Sequence, residues 1–145
     1  MSPASVARRY DPLLDPEGAE TLGHLLAEAV RERGANAIVV WSDATDAVLG
    51  FIVARRLGLP VVRLVDDDGL LEVHGTFPPS TQAALVTDVV HADHLVTAIA
   101  AVTRHGGRLV TVAALMSERR SDPPAPIAAL LEIDPVDGDD EPDGR

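Results

Sequence analysis

The chain has 145 residues and a formal net charge of −11, with no cysteine and 12 basic residues that are all arginine. The length suits a single domain, and the missing cysteine excludes disulfides, thiolate metal sites and a cysteine nucleophile. The negative charge disfavours nucleic acid and anionic membranes as partners. No apolar run is long enough to span a membrane, and none follows Arg8 and Arg9 as in a signal peptide. We therefore expect a cytoplasmic protein.

Composition divides the chain into three segments. Residues 1–14 contain Pro3 and Pro12 without a regular period and are predicted to form an N-terminal arm. Residues 15–133 are predicted to form one α/β domain. Residues 134–145 are acidic, contain proline and glycine and carry almost no apolar side chains, which is typical of a disordered tail.

Three helices are predicted from apolar spacing and from end signals. They span residues 16–33, 47–57 and 94–105. In the first helix, Asp15 offers an N-cap, Pro16 suits the first helical position and Gly34 is a natural terminator.

Short apolar runs rich in β-branched residues predict strands that are buried on both faces. These runs span residues 37–41, 60–65, 83–87 and 109–115. Residues 70–74 are predicted to form a short strand after a turn at Asp66–Gly69. Residues 127–133 are predicted to form a last edge strand, with a helical turn as the alternative. Strands alternate with helices through short connections, which predicts an α/β fold of three layers, with a mostly parallel sheet flanked by helices.

Polar segments follow three of these strands at their carboxyl ends, at residues 42–46, 66–68 and 88–94. In open α/β sheets, ligands bind just beyond the carboxyl ends of the strands. Two of the segments lead into helix N-termini, which attract anions when their amides are free. We therefore predict a ligand site at this edge of the sheet.

Residues 84–115 contain a strand ending in an acid, two apolar residues, a short loop, a helix, Gly106-Gly107 and another strand. This order resembles the phosphoribosyl diphosphate signature of the type I phosphoribosyltransferases. Upstream, Asp15–Gly18 and residues 54–62 resemble orotate phosphoribosyltransferase in particular. The similarity covers roughly residues 10–116.

The resemblance implies transfer of ribose 5-phosphate from phosphoribosyl diphosphate to a base nitrogen, with Mg²⁺ and release of pyrophosphate. It also implies a homodimer, or pairing with a related active subunit. In this family, adjacent acids hold the ribose hydroxyls, glycine-containing loops bind the phosphates and a mobile basic loop covers the site. The corresponding candidate ligand-binding residues in this chain are Ser42, Asp43, Thr45, Asp46, Asp88, His91, Ala92, Asp93 and His94.

The chain departs from the family pattern at each of these loops. Thr87 stands in place of the first acid of the signature, and the loop that follows has Asp93 where glycine would allow close backbone approach. Thr45 and Asp46 replace a glycine pair in the pyrophosphate loop. The segment corresponding to the basic loop, residues 65–75, contains three consecutive aspartates and no lysine. Asp46 and Asp93 each precede a predicted helix, where a carboxylate would cap the amides that a phosphate needs.

A carboxylate about 4 Å from a phosphate costs about 1 kcal/mol in water and more at lower effective dielectric. Several such contacts outweigh a few backbone amides, so we expect weak or no binding of phosphoribosyl diphosphate. The first hypothesis is therefore a phosphoribosyltransferase homologue without significant catalysis, which acts as a binding, regulatory or oligomer-partner protein and needs no cofactor. No catalytic residue is assigned under this hypothesis.

Two alternatives remain open. An active transferase would need Mg²⁺, would hold the ribose hydroxyls with Asp88 and would take positive charge from Arg63 or from a neighbouring subunit. Arg63 either faces the cleft or is a half-exposed strand residue. A metal-dependent enzyme would use Asp88, His91, Asp93 and His94. For that group we favour a solvated loop with a helix cap, because no further matched ligands support a metal. Trp41 is predicted to fill space beneath the helix that follows it rather than to stack on a base.

Overall fold

The computed structural model describes residues 11–135, so most of the predicted arm and most of the predicted tail lie outside the described residues. The helices are α1 (Pro16–Glu32), α2 (Ala44–Leu57) and α3 (Ala92–Arg104). The strands are β1 (Ala37–Trp41), β2 (Val61–Asp67), β3 (Leu70–His74), β4 (Gln82–Val89), β5 (Arg108–Glu118) and β6 (Ile127–Ile133). A 3₁₀ turn, Pro12–Leu14, precedes α1 and contacts both α1 and α2. Within residues 11–135, no helix has the length and apolar character needed to cross a bilayer.

The six strands form one sheet in the order β3-β2-β1-β4-β5-β6. All neighbouring pairs are parallel except β2 and β3, which form an antiparallel hairpin. The hairpin turn is made by Asp68 and Gly69, both with positive φ, which glycine adopts without steric cost. The predicted fold class is confirmed, and residues 127–133 form the predicted edge strand rather than a helical turn.

Two apolar cores lie on opposite faces of the sheet, because successive strand side chains point to opposite faces. In β1, Ile38 and Val40 pack with α1 and α2, whereas Val39 and Trp41 pack with α3. The molecule therefore has three layers, with two helices on one face and one on the other. Trp41 fills space as predicted, but the helix it packs with is α3 and not α2, which follows it in the chain.

The N-terminal end of α1 agrees with the sequence prediction. The Asp15 carboxylate accepts a hydrogen bond of 3.0 Å from the Gly18 amide, and Pro16 occupies the first helical position. Gly34, with φ 72°, follows the end of the helix. The cap and the terminator were readable from sequence because both are local effects.

The boundaries near the carboxyl ends of the strands differ from the prediction. Helix α2 begins at Ala44 rather than 47, and α3 begins at Ala92 rather than 94. Strands β2 and β4 continue to Asp67 and Val89, two residues past their predicted ends in each case. Asp66 and Asp67 join β2 because their backbone groups pair with β3, and Val89 joins β4 because it pairs with Met116 on β5, which outweighs the turn preference of aspartate.

Gly50 marks a close approach between α2 and β1. A Cβ atom at this position would lie 2.1 Å from Cγ1 of Val40, which is only 1% exposed and cannot move aside. We expect Gly50→Ala to lower the free energy of unfolding by about 1–2 kcal/mol, because the overpacking exceeds the gain in helix propensity. Urea unfolding measures the change. Gly50→Ala should cost less stability in a Val40→Ala background than in the natural chain, and equal costs in the two backgrounds would contradict this explanation.

Candidate functional site

The turn after β1 and the end of β4 meet at the carboxyl edge of the sheet, because β1 and β4 are parallel neighbours. Asp46, in the first turn of α2, makes the contact between them. Its Oδ1 accepts a hydrogen bond of 2.9 Å from the Asp88 amide, and its Oδ2 lies 2.9 Å from the Thr87 hydroxyl oxygen. The two phosphate-loop positions predicted from sequence are therefore brought together, joined through an aspartate.

The N-terminus of α2 is capped by Asp43 and not by Asp46. The Asp43 carboxylate accepts a hydrogen bond of 3.0 Å from the Asp46 amide. The sequence interpretation assigned the cap to Asp46 because it took the helix to begin at residue 47. Asp43 is exposed, and Ser42 and Thr45 beside it are half-buried.

Asp46 is the most deeply buried charged residue in the described part of the chain, with 2% of its surface exposed. Burial raises the pKa of its carboxyl group from 3.8 to about 8, and the nearby carboxylates of Asp43 and Asp88 act in the same direction. The hydrogen bond from the Asp88 amide, and the one that the Thr87 hydroxyl would donate to an ionised Asp46, oppose the increase in pKa without cancelling it.

Backbone amides at the end of β4 are used within the protein. The Asp88 amide donates to Asp46, the Val89 amide donates to the Asp88 carboxylate at 2.7 Å, and the Val90 amide donates to the Met116 carbonyl at 3.1 Å. Only Val90 and His91 separate β4 from α3. This junction leaves no loop long enough to wrap around a phosphate with free amides.

The N-terminus of α3 has no side-chain cap. His91 occupies the N-cap position without a capping hydrogen bond, and Ala92 is the first helical residue. The proposed cap by Asp93 is therefore wrong: Asp93 lies inside the first turn, exposed to solvent. The His94 ring lies 5.0 Å from the Trp41 ring and 5.6 Å from the His91 ring, measured between centroids.

Arg63 lies on β2 with its side chain exposed, directed to the turn after β1. Its Nη1 donates to the Ser42 hydroxyl at 3.1 Å, and its Nη2 lies 3.4 Å from Nδ1 of His74. Nε2 of His74 is in turn 3.0 Å from the Glu72 carboxylate. Sequence reasoning missed Glu72 and His74. The pairing of β2 with β3 places His74 directly opposite Arg63, and this register was the feature that could have identified them.

The described residues do not form a metal site. Among residues 11–135, no group of three or more histidine, aspartate or glutamate side chains is arranged to hold a metal ion. The Asp88 carboxylate is engaged with the Val89 amide, and the His91 and His94 rings contact each other edge to face. This arrangement gives the metal-dependent hypothesis no support.

Comparison with known proteins finds no matching family model and no matching curated protein. Solved structures do match. The adenine phosphoribosyltransferase of Thermoanaerobacter pseudethanolicus aligns with a TM-score of 0.71 and 19% identity, covering 83% of each chain. The adenine phosphoribosyltransferase of Rhodothermus marinus has a TM-score of 0.69 and 20% identity, over 83% of this chain and 82% of that one. The purine phosphoribosyltransferase of Pyrococcus horikoshii has a TM-score of 0.61 and 17% identity, over 81% and 82%. The chain therefore has the fold of the type I phosphoribosyltransferases.

Proposed function

We propose that this protein uses the phosphoribosyltransferase fold for binding or regulation and does not transfer ribose 5-phosphate. It would bind a partner chain, which is a second copy of itself or a related subunit, or it would bind a ligand that is not polyanionic. The observation that carries the proposal is the Asp43 carboxylate, which caps the N-terminus of α2 at the turn where the resemblance places the pyrophosphate.

At the pyrophosphate position a carboxylate already caps the helix. An anion at a helix N-terminus is bound by the unpaired amides of the first turn. In α2 the Asp46 amide already donates to the Asp43 carboxylate, which also places a negative charge at that end of the helix. Asp46 itself is tied to Thr87 and Asp88 and is buried, so it cannot swing aside without breaking two hydrogen bonds.

Phosphate binding at the 5-phosphate position is weakened by different contacts. The amides of Asp88, Val89 and Val90 are all engaged, so the end of β4 cannot cradle a phosphate without local rearrangement. The uncapped N-terminus of α3 remains able to attract an anion. Asp93 in that turn opposes the attraction, because a carboxylate about 4 Å from a phosphate costs about 1 kcal/mol even in water.

The segment that would supply a mobile basic loop is a tight hairpin here. Strands β2 and β3 are joined by Asp68 and Gly69, and the exposed Asp66 carboxylate accepts a hydrogen bond of 3.1 Å from the Gly69 amide. Residues 65–75 contain no lysine or arginine, so the turn of the hairpin offers no permanent cation to a pyrophosphate. The three elements thus present carboxylates or engaged amides at positions where the transferase reaction needs positive charge or free donors.

Calorimetry with phosphoribosyl diphosphate and Mg²⁺ tests the proposal. We expect no binding heat with the folded full chain, because Asp43 caps α2, the amides at the end of β4 are engaged and Asp93 lies in the first turn of α3. The adenine phosphoribosyltransferase of Thermoanaerobacter pseudethanolicus, titrated under the same conditions, is the positive control. A dissociation constant in the micromolar range for this chain would overturn the proposal.

An active transferase is the second candidate, and the uncapped N-terminus of α3 is the observation that favours it. In this candidate Asp88 holds the ribose hydroxyls, Arg63 supplies positive charge and the base is orotate or another nucleobase. Pyrophosphate release measured with a panel of bases, including orotate and adenine, decides between the two candidates. Pyrophosphate release that is abolished both by Arg63→Ala and by Asp88→Ala would establish the transferase. No release with any base of the panel would eliminate it.

A further inference from the structure

The Thr87 hydroxyl lies within hydrogen-bond distance of two oxygen atoms that can accept its hydrogen. Its Oγ1 is 2.9 Å from Oδ2 of Asp46 and 3.3 Å from the carbonyl oxygen of Val89. A hydroxyl group has one hydrogen to donate. If Asp46 were ionised, Thr87 could serve only one of these oxygens. Both contacts are satisfied together when Asp46 carries a hydrogen and donates it to Thr87, which then donates its own hydrogen to Val89.

The surroundings of Asp46 favour the same arrangement. Its carboxyl group faces the carboxylates of Asp43, in the turn before α2, and of Asp88, on β4. Among residues 11–135, no arginine or histidine forms an ion pair with Asp46. A buried charge is tolerated when it is paired, and an unpaired carboxyl group in such a place takes up a proton instead.

We propose that Asp46 is a protonated carboxylic acid at neutral pH and acts as a pH-sensitive latch between α2 and β4. In the closed latch, Asp46 Oδ2 donates to Thr87 Oγ1, Thr87 donates to the Val89 carbonyl, and Asp46 Oδ1 accepts from the Asp88 amide. The raised pKa of Asp46 agrees with this assignment. The inference concerns the protein without ligand, so it does not depend on whether the chain is a transferase.

Loss of the Asp46 proton opens the latch. The Thr87 hydroxyl must then turn to the new carboxylate and leave the Val89 carbonyl, which is buried and receives less than its full hydrogen bonding. Three carboxylates, those of Asp43, Asp46 and Asp88, then repel one another at the contact. Because this contact joins the two turns that border the candidate site, the spacing of those turns becomes dependent on pH.

Carbon-detected NMR of the full chain labelled with ¹³C-aspartate tests the latch directly. We expect the Asp46 carboxyl carbon to titrate with a midpoint near 8, and the Asp88 amide signal to shift over the same pH range. A midpoint near the ordinary aspartate value of about 4 would overturn the proposal. The measurement uses no ligand, so its failure is distinct from a failure of the proposed function.

Two variants separate the latch from a merely structural contact. Asp46→Asn keeps the shape, with its amide group donating to Thr87 and its oxygen accepting from Asp88, so the protein should remain folded and the Asp88 signal should no longer respond to pH. Asp43→Asn keeps a good N-cap residue and removes one neighbouring charge, so the Asp46 midpoint should move down toward the ordinary value. A shift of the Asp88 signal with a midpoint near 8 that persists in Asp46→Asn, or an Asp46 midpoint unchanged in Asp43→Asn, would overturn the assignment.

Discussion

The free energy of unfolding should fall as the pH rises from about 4 to about 8, and Asp46→Asn should remove this contribution. The folded-state pKa of Asp46, about 8, lies above its unfolded value of 3.8. The folded state therefore holds a proton that the unfolded state has released. The stabilisation is fully present below the unfolded pKa and is lost as the pH rises through the folded pKa. Each unit of difference in pKa corresponds to ~1.4 kcal/mol, so the stabilisation lost over this pH range is on the order of several kcal/mol.

Urea unfolding of the full chain and of Asp46→Asn at pH 5, 7 and 9 measures this effect. The free energy of unfolding of Asp46→Asn, minus that of the natural chain, should increase from pH 5 to pH 9, because asparagine is neutral throughout. Asp93→Asn is the matched control, since Asp93 is exposed in the first turn of α3 and lacks the burial that perturbs Asp46. A difference that stays constant over the three pH values would contradict the prediction.

Leu95→Ala should destabilise the protein by about 2–5 kcal/mol, the range found when a buried leucine is truncated and its site cannot collapse. Leu95 is 1% exposed in the first turn of α3, and it belongs to the core cluster that includes Trp41 and Leu85. Only α3 covers this face of the sheet among the described helices, so no second helix can move in to fill the cavity.

Val96→Ala is the matched control, because Val96 follows directly in the same helix and is 58% exposed. Its effect should stay within about 0.5 kcal/mol. Thermal and urea unfolding of both variants measures the changes, and Leu95→Ala should lower Tm by about 10 °C or more. Equal effects of the two substitutions would contradict the burial on which the prediction depends.

The layered fold was predictable from sequence because its signals are local and repeated. Apolar runs such as residues 37–41 occur where a strand is covered on both faces, and apolar residues at helical spacing occur where a helix packs on one side. Asp15 and Gly34 mark the ends of α1 through hydrogen bonds and φ angles within a few residues. The order of these elements then restricts the sheet to a mostly parallel one.

The residues of the candidate site were predictable as a set, but their contacts were not. Sequence reasoning noted the threonine at position 87 and the aspartate at position 46 as separate departures from the family pattern. The structure joins them through a 2.9 Å contact between residues 41 positions apart. The same reasoning assigned helix caps to Asp46 and Asp93, because a shift of two or three residues in a predicted helix start changes which side chain reaches the first amides.

The sequence by itself determined the α/β class, the order of strands and helices, and the edge of the sheet where polar residues collect, since these follow from local periodicity and chain direction. The exact helix starts, which make Asp43 the cap of α2 and leave α3 without a cap, came from the structure, and tertiary contacts alone decided that Asp46 is buried against Thr87 and Asp88. The physical reason is that burial and hydrogen bonding between distant segments set the charge of a carboxyl group, and neither can be read from the neighbours of a residue along the chain.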